Sequence, residues 1–146
     1  MTSNAVRAAL LVRALRAGVE RDAGVIEDLC TEDVRAWTPT VSTTSRTELL
    51  AELAGRDDAF SDLALEVAAL DVGGDVAGVE WTLAMTHTGP LQISAGETIE
   101  PTGVRVTVNG VTIAEFRDDR ICALRQYWDE FAVLEQIGVA TVDRPA

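Results

Sequence analysis

The sequence predicts an α+β domain, with helices packed on one face of a curved, mostly antiparallel sheet. Three observations lead there. Apolar residues recur at three- and four-residue spacing up to Leu53, they alternate with polar or small neighbours from Leu63 onward, and the helical period returns only at Phe131, Leu134 and Ile137. At 146 residues the chain reads as one domain, residues 1–146. That length can bury about two-thirds of the unfolded-chain surface around a single core.

Val6, Leu10, Ala14 and Ala17 mark a first helix over about residues 3–19, with Arg7, Arg13, Arg16 and Arg21 mostly on its other faces. A second helix, residues 22–30, leads into an extended piece, residues 34–37, closed by Thr38-Pro39. Ser45 and Glu48 have capping-box spacing and open a third helix, in which Leu49, Leu50 and Leu53 run toward Gly55. The period then changes to two. Leu63, Leu65, Val67 and Ala69 form a hairpin with Val79, Trp81, Leu83 and Met85 around Gly73-Gly74-Asp75. Residues 88–102 contain Gly89-Pro90, Gly96 and Pro101 and read as a loop long enough to serve as a mouth or flap. Two more strands, residues 104–108 and 111–116, are joined by Asn109-Gly110, a two-residue hairpin signal. Asp118-Asp119-Arg120 turns the chain into a last strand, residues 121–128, and a short helix follows.

Composition removes several classes of function. With 24 acidic against 12 basic residues the net charge is -12, which repels polyanions, so nucleic acid is not an expected partner. Every basic residue is Arg. Imine chemistry on lysine and a phosphate-loop lysine are both excluded. Cys30 and Cys122 lie far apart in apolar patterns, as reduced, buried thiols do, and this suits a cytoplasmic protein. Arginines interrupt the apolar residues of the N-terminus, so neither a signal peptide nor a membrane span is expected. His87 is the single histidine, without the spacing of a zinc site, and no GxSxG turn is present. No metal or cofactor is implied.

Four segments bring a family into view: "THTG" (Thr86 to Gly89), "PTG" (Pro101 to Gly103), "VNGVTIAEFRDDRI" (Val108 to Ile121) and "YWDEFAVLEQIG" (Tyr127 to Gly138). In order and spacing they resemble the SnoaL-like polyketide cyclases. The resemblance implies a cone-shaped, nuclear-transport-factor-like α+β barrel, its bent sheet closed by the N-terminal helices over an apolar cavity. It also implies a cofactor-independent enzyme acting on a hydrophobic, oxygenated small molecule. In such cyclases an Asp at the place of Asp129 is the general acid/base of an intramolecular aldol closure. The histidine that assists it falls at Glu115 in this chain. The same family includes hydroxylases, and the fold includes epoxide hydrolases and steroid isomerases.

The residues themselves leave two readings for each candidate. Asp129 stands where strand becomes helix and either caps that helix or moves protons. Glu115 either faces the cavity, where two carboxylates would share a proton, or pairs with Arg125 across strands on an outer face. Epoxide opening would use Asp129 together with Glu115. His87 either touches ligand or braces the loop. Trp37, Trp81, Tyr127, Trp128 and Phe131 either fill a core or line a cavity for a flat ligand, to which Tyr127 would donate a hydrogen bond. A non-catalytic, ligand-binding dimeric module is the rival in which Asp129 only caps. Finally, Glu80, Thr82, Thr86, Thr107 and Thr112, interleaved with Ala84 and Ala114, form a mixed face expected to meet a copy of itself in a twofold homodimer.

Overall fold

The first helix, α1 (Asn4–Glu20), begins where Ser3 accepts a hydrogen bond from the Val6 N–H and ends at Arg21 in the left-handed conformation. The computed structural model describes residues 3–70, 72–94 and 96–139. Its buried stripe on α1 is Arg7, Leu11, Ala14, Leu15 and Ala17, so Val6 is exposed and the helix is rotated from the expected face. Arg7 explains the rotation. Its guanidinium donates to the carbonyls of Gly74 and Asp118, pairs with Asp75 at 3.1 Å and lies over the Phe116 ring. One cation thus ties the helix to two turns.

Helix α2 (Ala23–Leu29) is capped by Asp22, and strand β1 (Cys30–Trp37) follows, starting earlier than the alternation suggested. A short β2 (Ser42–Thr43) pairs with it. At α3 (Arg46–Gly55) Ser45 caps the Glu48 N–H as expected, while the Glu48 carboxylate reaches back to the Thr44 N–H at 2.9 Å. Strands β3 (Phe60–Leu70) and β4 (Val76–His87) form the predicted hairpin, with Gly74 at positive φ in its turn.

Two expectations from the sequence fail. Residues 88–102 are not irregular throughout: β5 (Leu91–Ser94) and β6 (Glu97–Ile99) make a small antiparallel ribbon. Asn109-Gly110 is not a turn but the middle of one long strand, β7 (Arg105–Arg117). Gly110 lies opposite Trp81, and a Cβ there would collide with the indole. Glycine is needed for the close approach rather than for a reversal. After β8 (Arg120–Trp128) comes α4 (Glu130–Gln136).

The main sheet runs β2-β1-β8-β7-β4-β3, antiparallel except for the β1–β8 pair. Helices cover one face. There Leu11, Leu15, Ile26 and Leu29 pack on Val34, Val79, Ala114, Phe116 and Ile121, while Val133 and Ile137 of α4 pack on Met85, Val106 and Val108. Because β7 runs through without a turn, its alternation never resets. Thr107 therefore lies on the open face with Glu80, Thr82 and Thr86, but Thr112 and Ala114 are fully buried on the covered one, which corrects the composition of the expected dimer face. Among the described residues no helix is long and apolar enough to cross a membrane.

Candidate functional site

On the covered face, the middle of the sheet holds a line of polar groups inside otherwise apolar surroundings. Trp81 on β4 donates its Nε1–H to Thr112 Oγ1 on β7 at 2.9 Å, and Gln126 on β8 donates Nε2–H to the same oxygen at 3.2 Å. Trp128, next on that face of β8, meets Trp81 edge to face with centroids 6.2 Å apart. Its own indole N–H reaches Glu130 Oε2 at 2.6 Å. Trp81, Gln126 and Trp128 are only half-buried, and α3, which packs on β1, β2 and α2, buries no residue completely; its Leu49, Leu50 and Leu53 are half-buried as well. This is the incompletely sealed part of the covered face.

Asp129 follows directly. It is the N-cap of α4, exposed, with Oδ1 accepting from the Ala132 N–H at 3.2 Å and Oδ2 without a hydrogen bond among the described residues. The capping reading thus describes one oxygen of the carboxylate. Glu130 in the first turn adds a favourable negative charge at the helix start.

Glu115 does not join this site. It shares a face with Val111 and Ile113 as expected, but that face is the open one, because the helices chose the other parity of β7. Its Oε2 accepts from Arg125 at 2.8 Å, a pair partly exposed on both sides, and this hydrogen bond raises Arg125 above its usual value. Glu115 lies opposite Ala123, about 20 Å along β8 from Asp129 at the usual rise of a strand residue. The shared-proton pair is therefore not assembled, and the cross-strand ion pair is.

Tyr127 and Trp37 also lie on the open face, 44% and 43% exposed, with ring centroids 5.1 Å apart. Tyr127 borders an open groove of about 540 Å³ with Glu66, Glu80, Thr82 and Asn109. A second hollow, of about 320 Å³, lies between α1 and β3 beside Arg16 and Asp62. Asp129 lines neither. Phe131 is exposed on α4.

His87 braces the segment before β7. Its backbone bonds to Val104 and Gly103, and its Nδ1 accepts from the Thr102 N–H at 3.2 Å and meets the Thr102 hydroxyl at 2.9 Å. The ring is fully buried against Phe60, with Nε2 unpartnered among the described residues. Of the nine residues singled out from sequence, then, Trp81 and Trp128 lie on the half-buried covered face, and Asp129 follows Trp128 in the chain. Thr112, Gln126 and Glu130 were missed. The period-two pattern held a signal for the first two, since a Thr and a Gln interrupt runs that are otherwise apolar on that face. Among the described residues no group of three His, Cys, Asp or Glu side chains is arranged to hold a metal ion.

No curated protein matches the chain by sequence. Among solved structures, AclR, a hydroxylase candidate from Streptomyces galilaeus, superposes with a TM-score of 0.76 at 24% identity, covering 95% of this chain and 100% of its own. A protein from Jannaschia sp. CCS1 assigned as a SnoaL-like polyketide cyclase gives 0.78 at 21% identity, with 94% of each chain covered. An epoxide hydrolase of the LEH-like type from M. tuberculosis gives 0.68 at 13% identity, covering 91% of this chain and 90% of that one. At such identities the likenesses establish the nuclear-transport-factor-like fold alone. The sequence profile of the SnoaL-like polyketide cyclases matches residues 9–137, nearly the whole chain, and the protein therefore belongs to that family.

Proposed function

We propose that the chain is a general acid/base enzyme of polyketide cyclase type, acting without a cofactor on a hydrophobic, oxygenated small molecule, with Asp129 as the proton-moving group. One observation carries this reading. The Asp129 carboxylate divides its work: Oδ1 caps α4, while Oδ2 has no hydrogen bond among the described residues, and the residue before it, Trp128, walls the half-buried region. An oxygen held in place by its capped twin can take a proton from an acidic C–H beside a carbonyl and return it to the alkoxide formed on closure. Membership of the cyclase family supports the assignment.

Epoxide opening by Asp129 with Glu115 gains no support, since Glu115 is engaged by Arg125 on the other face. The test is Asp129→Asn, assayed with a substrate carrying an activated methylene and a carbonyl for it to attack. Asn still caps, so stability should change by less than about 1 kcal/mol, while turnover falls at least ~100-fold. Full turnover in the variant would leave Asp129 as a cap only.

A further inference from the structure

Thr112 has no exposed surface, and its oxygen accepts from both Trp81 Nε1 and Gln126 Nε2. A hydroxyl oxygen has two lone pairs, so both are in use. The Gln126 amide is thereby turned with its nitrogen toward Thr112 and its oxygen away. That oxygen accepts no hydrogen bond among the described residues. Gln126 is half-buried, and its same-face neighbours on β8 are Leu124 and Trp128. The amide oxygen is not among the buried unpartnered side-chain atoms of the described residues, so it is reachable from outside, as an acceptor for a ligand must be.

We infer that Gln126 is a specificity-determining residue whose amide oxygen accepts a hydroxyl of the substrate, and that Thr112 is the positioning residue that turns the amide. The inference rests on the covered face being the substrate site. It narrows the substrate class to flat, apolar molecules that carry a hydroxyl, a donor, at the end lying against β8. A bare ketone or ether oxygen at that end meets another acceptor and is rejected. The aromatic corner formed by Trp81 and Trp128 suits the flat part.

The probes are β-naphthol and its methyl ether, alike in shape but different in the hydroxyl hydrogen, titrated separately by ligand-observed NMR. Wild type should bind the naphthol about fivefold more tightly, the worth of one neutral hydrogen bond. Gln126→Leu should bind both equally, and Gln126→Glu, which still accepts, should restore the preference. Thr112→Ser should keep the preference; Thr112→Val should reduce it while Gln126 remains in place. Asp129→Asn should leave it unchanged, so a failure of the proton-transfer reading and a failure of this one are told apart. Wild type binding neither probe, wild type showing no preference, or Gln126→Leu retaining the preference would each overturn the inference.

Discussion

Replacing Gly110 with alanine tests the strand register on which the site depends. Gly110 lies opposite Trp81 on β4 and Trp128 on β8, and an added Cβ would fall among the Cζ2, Cη2 and Cε2 atoms of the Trp81 indole. The ring cannot swing aside freely, because Nε1 is bonded to Thr112 and Trp128 packs against it edge-on. Overpacking of this kind costs about 1–3 kcal/mol. Breaking the Nε1 bond adds about 1 kcal/mol, and the stiffer unfolded chain returns about 0.7 kcal/mol. The net loss is about 2 kcal/mol. Urea unfolding followed by far-UV circular dichroism would read it as a lower midpoint at constant slope. Trp81→Phe removes the colliding atoms, so the double variant should be more stable than the sum of the two single changes by about 1 kcal/mol. Gly110→Ala within about 0.5 kcal/mol of wild type, or strict additivity with Trp81→Phe, would refute the packing of Trp81 over Gly110 and the polar line built on it.

Glu115→Gln should cost less than about 1 kcal/mol in urea unfolding, the range of a solvent-accessible ion pair, and a loss of several kcal/mol would contradict the open-face placement. Burial, partly opposed by Arg46, pushes the Cys30 thiol from 9.0 up to about 11. The unfolded thiol then releases its proton first, so this contribution is complete below pH 9 and is lost as pH rises toward 11. Cys30→Ala should flatten that part of the stability profile, and an unchanged slope would contradict the burial. We further propose that the open face, with Trp37, Tyr127 and the groove beside Glu80, is where two copies meet. Sedimentation should give a dimer at micromolar concentration; monomer alone would count against it.

By itself the sequence determined what near neighbours decide. Ser3, Asp22, Ser45 and Asp129 all cap helices, because a side-chain oxygen reaches an N–H only a few residues away. The changes of period placed the β3–β4 hairpin and the strand-to-helix junction at Asp129, since local pleat and helical pitch set them. Only the tertiary structure decided which face of each strand the helices would cover. Alternation places Glu115 with Ile113 and Thr112 with Ala114, but either set could have been the inner one until α1 packed on the sheet. Arg7 was misjudged for the same reason, its burial depending on turn carbonyls far away in the chain. Asn109-Gly110 read as a turn because two residues hold no record of the indole on the next strand that needs the space. Gln126 and Thr112 became a site only when β4, β7 and β8 were laid side by side, since hydrogen bonds between strands follow register, which no short stretch of sequence contains.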